Sequence, residues 1–446
     1  MAAPFPGGKW SECVCARPIA ARRKAEHTKA SSLCRSGDGR AACRKRESGV
    51  ARPIFIERRL LWQSMTSKPL IHLMDAICSE ENLLLAYRSA IKGKRRRFQV
   101  LEFTRDLECN LDDLRRDLLA GTYKVGPYHQ FYVNVPKSRL IMALGFRDRV
   151  VQWALYRQLN PWIDKRLIED TFGCRDDKGT LAAAMRLYEW TREVRRKPNY
   201  DGWYCLKLDI SKFFYRVDHG VMMDMMREIC PEPDFLHLMD TIINNPDCPF
   251  GLPAGIKAHD CPVEDRLFDV GMPIGNLSSQ MIANLYLDPL DKFCKHTLGL
   301  HYYARYMDDV VILLDDLARL HEIHAQVEAF LRERLKLSLN NKTSIHKVKA
   351  GIDFVGYVIH PSGIRIRKRT KKHMKRALLH VAELYSVGVI TLDSALDTLN
   401  SYMGMCAHCE SYHLRRWIAE NISFRRKAPD DDAVYEYDYF NFAEEY

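Results

Sequence analysis

Apolar residues recur along most of the chain at two spacings, one typical of helices and one typical of strands. Intervals of three to four residues predict amphipathic helices, whereas strict alternation predicts strands with one buried face. The predicted helices cover residues 70–85, 103–119, 181–196, 219–245, 318–336 and 370–424. The predicted strands form a hairpin over Tyr128–Met142, a single strand at Tyr204–Leu208, a second hairpin around Asp308-Asp309 and a last strand at Ile364–Arg369. The chain is therefore expected to mix helices with strands.

The apolar pattern is absent from both ends of the chain. Residues 1–64 are rich in Arg, Ala, Ser and Gly, and we expect a disordered basic leader or a misannotated start. Met65 opens the first periodic stretch and is the predicted start of the folded part. At the other end, residues 429–446 alternate acids with aromatic residues. This tail is expected to be disordered, to dock on the protein itself or to bind a partner.

Composition places the chain among ordinary globular proteins with a basic surplus. Apolar residues make up 47% and charged residues 28% of its 446 residues. The net charge of +11 fits a polyanionic partner such as nucleic acid, although many other proteins share such a surplus. No apolar run approaches the roughly 20 residues of a membrane span, which argues against a membrane-spanning class. Fourteen cysteines without a repeating spacing favour reduced thiols and a cytoplasmic location.

Two adjacent acids lie at the turn of the second hairpin, in Tyr306-Met307-Asp308-Asp309. Neighbouring carboxylates on a rigid turn can hold a hard divalent cation, because Mg²⁺ prefers oxygen ligands. A third acid, Asp209, ends the single strand, and adjacent strands of one sheet would bring all three together. Three carboxylates can hold two metal ions roughly 3.5–4 Å apart, which is an arrangement that supports nucleotidyl transfer. A surface turn without chemistry is the alternative for Asp308-Asp309 taken alone.

Cations that suit a triphosphate accompany these acids. Lys137 and Arg139 lie at the tip of the first hairpin, where two cations could hold a phosphate group. Lys342 follows the acidic hairpin at a position that would allow it to donate a proton to a leaving group. For the hairpin tip, a charged turn exposed to solvent is the alternative interpretation.

The order of these motifs resembles that of a reverse transcriptase. The chain carries, in order, Asp209-Ile-Ser-Lys-Phe-Phe214, Gly271-Met-Pro-Ile-Gly-Asn-Leu-Ser-Ser-Gln280, Tyr306-Met-Asp-Asp309, Asn341-Lys-Thr343 and Phe354-Val-Gly-Tyr357. The resemblance extends from about residue 70 to about residue 420. Each motif alone is moderately specific, whereas the ordered set is strongly so.

Within that superfamily, Ile274 with Gly275-Asn-Leu-Ser-Ser-Gln280 looks most like the reverse transcriptases of diversity-generating retroelements. Most other families carry Gln where this chain has Ile274. In the resembling family, an aliphatic residue there accompanies error-prone copying of template adenines, because an apolar side chain controls the nascent pair loosely. Gly173-Cys-Arg-Asp-Asp-Lys-Gly-Thr180 is similar to a fingers loop of retron-type enzymes.

The resemblance implies an α+β right-hand polymerase with fingers, palm and thumb. The palm is then an antiparallel sheet that carries the three acids and packs on helices, and the thumb is helical. The implied regions are the leader 1–64, an N-terminal and fingers region 65–200, a palm 201–365 with a finger-side insertion 220–270, a thumb 366–428 and the tail 429–446.

Carried over position by position, the resemblance assigns the site residues. The metal ligands for two Mg²⁺ ions, or for Mn²⁺, are Asp209, Asp308, Asp309 and the backbone carbonyl of Ile210. The residues that contact the incoming nucleotide are Lys137, Arg139, Phe214, Ile274, Gly275 and Gln280. The ring of Phe214 excludes a ribose 2′-hydroxyl, and Lys342 is the general acid. Phe354–Tyr357 resembles the segment that grips the primer.

The implied partners are a template RNA, a primer or cDNA strand, deoxynucleotides and a small basic accessory protein, with no membrane. One alternative is a retron-like or phage-defence reverse transcriptase, which shares the chemistry in another biological setting. An alternative of another class is a catalytically inactive RNA-binding scaffold, which the intact set of acids disfavours. A group II intron maturase fits less well, since the stretch after residue 370 is short for an added domain.

Overall fold

The computed structural model describes residues 69–133, 139–245, 249–253 and 255–426. These residues belong to one compact unit that begins at Pro69. The basic leader 1–64, the residue Lys137 predicted for the tip of the first hairpin, and the acidic tail 429–446 lie outside the described residues.

From Pro69, where the described residues begin, four helices precede the first hairpin. Their bounds are Leu73–Cys78 (α1), Glu80–Ala90 (α2), Phe98–Arg105 (α3) and Leu107–Leu119 (α4). Ser79 caps α2, because its side chain accepts a hydrogen bond from the backbone N–H of Asn82. The prediction of one continuous helix over 103–119 is wrong, since Asp106 has φ −121° and ψ 52° and separates α3 from α4.

The first predicted hairpin is confirmed, as strands His129–Val133 (β1) and Arg139–Ala143 (β2). Helix Phe146–Arg166 (α5) follows it and packs along α2. The buried Asn82 of α2 joins the two helices, since its side-chain amide donates to the backbone carbonyl of Ala154 at 3.1 Å. The helix that follows the hairpin is therefore tied to α2 by a hydrogen bond in the interior.

Four strands form the central sheet, and each neighbouring pair is antiparallel. They are Tyr204–Asp209 (β3), Tyr303–Tyr306 (β4), Asp309–Leu314 (β5) and Ser344–Lys347 (β6), in the order β4-β5-β3-β6. The four central positions of β5 are buried and apolar, as expected of a strand that is covered on both faces. The register of β3 against β5 places Asp209 opposite Asp309.

Further helices connect and cover these strands. They are Thr180–Arg195 (α6), Phe213–Arg216 (α7), His219–Ile229 (α8), Pro233–Ile243 (α9), Leu277–Lys292 (α10) and Leu317–Arg334 (α11). Helix α10 is buried around most of its circumference and lies against α5. Asn276 occupies the cap position, and the side chain of Gln152 on α5 accepts from the N–H of Ser278 at 3.0 Å.

A three-stranded antiparallel sheet and three helices form the C-terminal part of the described residues. The elements are Ile352–Phe354 (β7), Tyr357–His360 (β8), Gly363–Ile366 (β9), Lys368–Ser386 (α12), Leu392–Ala407 (α13) and Tyr412–Asn421 (α14). The predicted strand Ile364–Arg369 is too long, because α12 begins at Lys368. One apolar core joins this part to α6 and to the central sheet, through residues such as Trp190, Cys205 and Phe354.

The predicted class, an α+β fold with an antiparallel sheet that carries the acids and packs on helices, is confirmed. Among the described helices, none has both the length and the apolar character that a bilayer crossing requires.

Candidate active site

The acidic turn joins the two strands β4 and β5 through Met307 and Asp308. Tyr306 pairs with Asp309, so that the turn itself has two residues. Met307 has φ +53°, in the left-handed region that a two-residue hairpin turn often requires at its first position. Of the two adjacent acids, Asp308 therefore lies in the turn, whereas Asp309 is the first residue of β5.

The central sheet brings the three acids together, although Asp209 lies about a hundred residues before the turn. Asp209 is the last residue of β3 and is paired with Asp309. The next residue, Ile210, donates its backbone N–H to the carbonyl of Asp308 at 3.2 Å. The last residue of β3, the first residue of β5 and the turn before β5 thus meet at one end of the two inner strands of the sheet.

Asn340 is a neighbour of the acids that sequence analysis missed. Its backbone N–H donates to the Asp209 carbonyl at 2.7 Å, and its side-chain amide donates to the Asp209 carboxylate at 3.1 Å. Its place immediately before the Asn-Lys-Thr motif was the available signal. Lys342 is exposed on the turn that follows Asn340.

The site concentrates negative charge. Burial, together with the neighbouring carboxylates of Asp309 and Asp209, raises the pKa of Asp308 to about 6, and Arg139 acts in the opposite direction. Arg139 of β2 is therefore near enough to the acids to interact with them electrostatically. A carboxylate that repels its neighbours in this way would be stabilised by a divalent cation.

The donor set fits a hard divalent cation in its chemistry, since carboxylate oxygens are the ligands that Mg²⁺ and Mn²⁺ prefer. In the present conformation, no three His, Cys, Asp or Glu side chains of the described residues converge as a metal site. The Asp209 carboxylate instead accepts the hydrogen bond from Asn340. The backbone nevertheless places the three acids at one end of the sheet.

A small apolar cluster contains two of the residues predicted to contact the nucleotide, Phe214 and Ile274. The buried members are Leu140, Met142 and Phe250, and the half-buried members are Tyr128, Phe214, Tyr215 and Ile274. Phe213 is fully buried in the core, whereas its neighbour Phe214 is partly exposed. The structure thus brings Phe214 and Ile274 together, although they are sixty residues apart in sequence.

Backbone contacts hold Ile274 and Gly275 against the first hairpin. The carbonyl of Ile274 accepts from the N–H of Met142 at 2.9 Å. Gly275 has φ +119°, and a Cβ atom there would lie 3.1 Å from the Met142 carbonyl oxygen, so that the position favours glycine. Asn276 donates its side-chain amide to the hydroxyl of Tyr128 at 3.1 Å. Sequence analysis missed this pair, because no spacing relates a residue of the first hairpin to one before α10.

Gln280 and the segment Phe354–Tyr357 are the remaining predicted contacts. Gln280 is partly exposed in the first turn of α10. The predicted primer-contacting segment Phe354–Tyr357 spans the end of β7, the two-residue turn Val355-Gly356 and the start of β8. Val355 has φ +44° in that turn, which is uncommon for a β-branched residue and indicates local strain.

Residues 133–359, half of the chain, match the model of the family described as reverse transcriptase (RNA-dependent DNA polymerase). Among curated proteins, the putative COX1/OXI3 intron 2 protein of Saccharomyces cerevisiae is 20% identical over 307 residues. That match covers 55% of this chain and 34% of the yeast protein. The chain therefore spans about a third of the length of this relative.

Two solved structures show a weak likeness to the fold. One is telomerase from Candida albicans with a fragment of telomeric RNA, at a TM-score of 0.39 and 13% identity, which covers 69% of this chain and 58% of that chain. The other is apo telomerase from Candida tropicalis truncated from its C-terminal domain, at a TM-score of 0.40 and 12% identity, which covers 54% and 55%. At these scores the likeness supports no further conclusion.

Proposed function

The chain belongs to the reverse transcriptase (RNA-dependent DNA polymerase) family, and we propose that it copies a template RNA into cDNA. The single observation that carries the proposal is the register of the central sheet, which sets Asp209 opposite Asp309 at the end of the acidic hairpin. Three acids at one edge of a rigid sheet suit nucleotidyl transfer, because that chemistry depends on positioned metal ions and little covalent participation by the protein.

Asp209, Asp308 and Asp309 would hold two divalent ions, Mg²⁺ or Mn²⁺, with the Ile210 carbonyl as a further ligand. Such ions, when bound, activate a primer hydroxyl and neutralise the triphosphate. The protein's own contribution is to hold the backbone of the three acids together before substrate arrives, which the register of the central sheet supports.

The cations of the first hairpin would bind the triphosphate. Arg139 supports this, because its charge acts on Asp308. Lys137, outside the described residues, would act with it. Lys342 would protonate the leaving pyrophosphate, and its exposed position near Asn340 leaves its amine accessible to substrate.

Phe214 and Ile274 would determine which nucleotide is accepted, with Gly275 and Gln280 as further contacts. We propose that Phe214 excludes a ribose 2′-hydroxyl and that Ile274 permits errors opposite template adenine, as in a diversity-generating retroelement. The support is their shared position in a partly exposed cluster beside the acidic edge. An apolar side chain in place of a hydrogen-bonding one exerts less geometric control over a base pair.

The template–primer duplex would follow the basic helix α12. Its first turns expose four cations, which are Lys368, Arg369, Lys371 and Lys372. Exposed cations in a row neutralise backbone phosphates irrespective of sequence. We assign the α12–α14 region to the thumb, the central sheet to the palm and the first hairpin to the fingers, with the boundaries predicted from the sequence. A small basic accessory protein is a further proposed partner.

An intron-encoded reverse transcriptase is the second candidate, and the similarity to the yeast intron 2 protein favours it. The two candidates share the chemistry and differ in their RNA. Incubating the protein with a retroelement template repeat and with an intron RNA, each carrying its own primer, distinguishes them by the template that is extended.

Primer extension on an RNA template with Mg²⁺ tests the proposed activity. Asp308→Asn should lower the extension rate by about a thousandfold or more, because it removes a metal-binding charge at similar volume. Asp315→Asn is the matched control, since Asp315 is exposed just beyond the far end of β5. Equal extension by the parent and Asp308→Asn would contradict the assignment. No extension by the parent on any RNA would favour the inactive RNA-binding scaffold.

A further inference from the structure

The largest fully buried side chain among the described residues is that of Arg305, in β4 next to the acidic turn. Its Nε and one terminal nitrogen each lie 2.7 Å from a carboxylate oxygen of Asp291, in α10. Asp291 is also fully buried and accepts from the hydroxyls of Tyr303 at 2.6 Å and Thr171 at 2.8 Å. Donors therefore surround this carboxylate on both of its oxygens.

Stability alone is a weak reason for such a pair. Moving two opposite charges out of water costs several kcal/mol each, and apolar residues of similar volume often stabilise a fold equally well. A bidentate ion pair does, however, fix the position of the guanidinium group.

The remaining terminal nitrogen of Arg305 reaches the turn. It donates to the backbone carbonyl of Met307 at 3.0 Å and lies 3.4 Å from the side-chain oxygen of Asn284. Met307 is held at φ +53°, which residues other than Gly, Asn and Asp seldom adopt. Its carbonyl belongs to the peptide bond between Met307 and Asp308. The hydrogen bond therefore fixes the orientation of this peptide and, with it, the position of Asp308 in the turn.

Gly173 confines Met307 from another side. A Cβ atom at this position would lie 2.9 Å from the Met307 backbone nitrogen and 2.6 Å from its sulfur. The Gly173 carbonyl accepts from the side-chain amide of Asn284 at 2.7 Å, so that Asn284 links it to Arg305. Met307 thus lies between a backbone that leaves no room for a side chain and a guanidinium that Asp291 holds in place.

We propose that Arg305 and Asp291 are positioning residues of the polymerase site, which keep Met307 in its left-handed conformation so that Asp308 and Asp309 can face a common divalent cation. Neither residue touches metal or nucleotide in this scheme. The proposal rests on the proposed function in one respect, because it takes Asp308 to be a metal ligand.

Arg305→Lys is the first test. Lysine keeps the positive charge beside Asp291 but lacks the planar fork that spans Asp291 and the Met307 carbonyl together. We expect the Mn²⁺ affinity of the protein without nucleic acid, measured by electron paramagnetic resonance, to fall about tenfold. The kcat for primer extension should fall about a hundredfold, with the KM for deoxynucleotide changed by less than about threefold.

Gly173→Ala is the second test, and it is independent of the ion pair. It retains Arg305 and Asp291 but displaces the turn, because the added methyl group collides with the Met307 backbone. We expect losses of Mn²⁺ affinity and kcat in the same direction as for Arg305→Lys. If Arg305→Lys does not fold, the Mn²⁺ affinity of Gly173→Ala alone tests whether the conformation of Met307 controls the metal site.

Lys292→Gln is the matched control. Lys292 lies 2.6 Å from the buried Asp288 on the same helix as Asp291, and its amine is directed to that carboxylate rather than to the turn. It should lower the melting temperature while Mn²⁺ affinity stays within about twofold of the parent. The proposal is overturned if folded Arg305→Lys and Gly173→Ala bind Mn²⁺ as the parent does, or if Lys292→Gln weakens binding equally.

The metal measurement also separates this proposal from the proposed function. Asp308→Asn should remove the Mn²⁺ site whether or not the protein is a polymerase. A parent protein that binds Mn²⁺ through Asp308, loses it in Arg305→Lys and extends no primer would support the positioning role and refute the activity. A parent that extends primers but shows no difference from Arg305→Lys would refute the positioning role alone.

Discussion

Behind the acidic turn lies a fully buried ion pair, whereas behind Phe214 and Ile274 lies a small apolar cluster that is partly open to solvent. On the acidic side, Asp209 and Met307 each accept a hydrogen bond from a specific side chain, Asn340 and Arg305 respectively. At the apolar cluster, Ile274 is held through its backbone and its side chain only packs. The hydrogen-bonded region around the acids tolerates few substitutions, because polar networks fail when one member is lost. Substitutions in the apolar cluster can change substrate selectivity without loss of the fold.

Substitution of Phe214 is expected to have the largest effect on substrate selection. Phe214→Val should raise ribonucleotide incorporation relative to deoxynucleotide incorporation by about a hundredfold, because the shorter side chain leaves room for a 2′-hydroxyl. Steady-state kinetics with paired substrates measures the ratio. Phe213→Leu is the matched control, since this buried neighbour should cost about 1 kcal/mol of stability and leave the ratio unchanged. Equal ratios in the two variants would remove Phe214 from substrate selection.

The acidic side should respond to pH. The pKa of Asp308 is raised from 3.8 to about 6, so the metal-free folded protein holds a proton that the unfolded chain releases. Stability of the metal-free protein should therefore fall by about 2 kcal/mol as pH rises from about 4 to about 6. Urea unfolding with chelator at several pH values measures this slope. Asp308→Asn should flatten it, and an unchanged slope in that variant would assign the effect to other groups.

Asn340 tests whether the acidic side depends on more than its acids. Asn340→Ala removes the amide that orients the Asp209 carboxylate and should slow primer extension about tenfold at saturating substrate. Ser338→Ala, on the same segment, should change the rate by less than about twofold, because the contact of Ser338 with Ser211 uses its backbone carbonyl. A full rate for Asn340→Ala would show that Asp209 is held by its strand alone.

The smallest expected effect concerns fidelity. Ile274→Gln should lower misincorporation opposite template adenine by about fivefold, because an amide can hydrogen-bond where the aliphatic side chain cannot. Sequencing of cDNA made on one template measures the error spectrum. Ile274→Leu, which stays apolar, should leave it unchanged. An identical spectrum in all three proteins would separate Ile274 from fidelity and weaken the retroelement interpretation.

The sequence predicted local elements better than their ends. The alternation from Tyr204 to Leu208 identifies β3, and the apolar residues around Asp308-Asp309 identify the hairpin. The break at Asp106 and the early start of α12 were missed, because a helix boundary depends on packing against other elements as well as on periodicity. The hydrogen bond from the N–H of Ser278 to Gln152 could not be predicted, because local spacing does not relate the start of one helix to a side chain on another.

The order of the motifs, the three acids and the aliphatic residue Ile274 are visible in the sequence, and they define which chemistry is possible. Which residues meet depends on the fold. Strand pairing is set by burial over the whole sheet, so the register that sets Asp209 opposite Asp309 is not a property of either segment. The burial of Arg305 also depends on the whole fold, since the sequence around an arginine beside a turn predicts an exposed side chain. The fold buries it because Asp291, on a helix packed behind the sheet, neutralises its charge and fixes its direction.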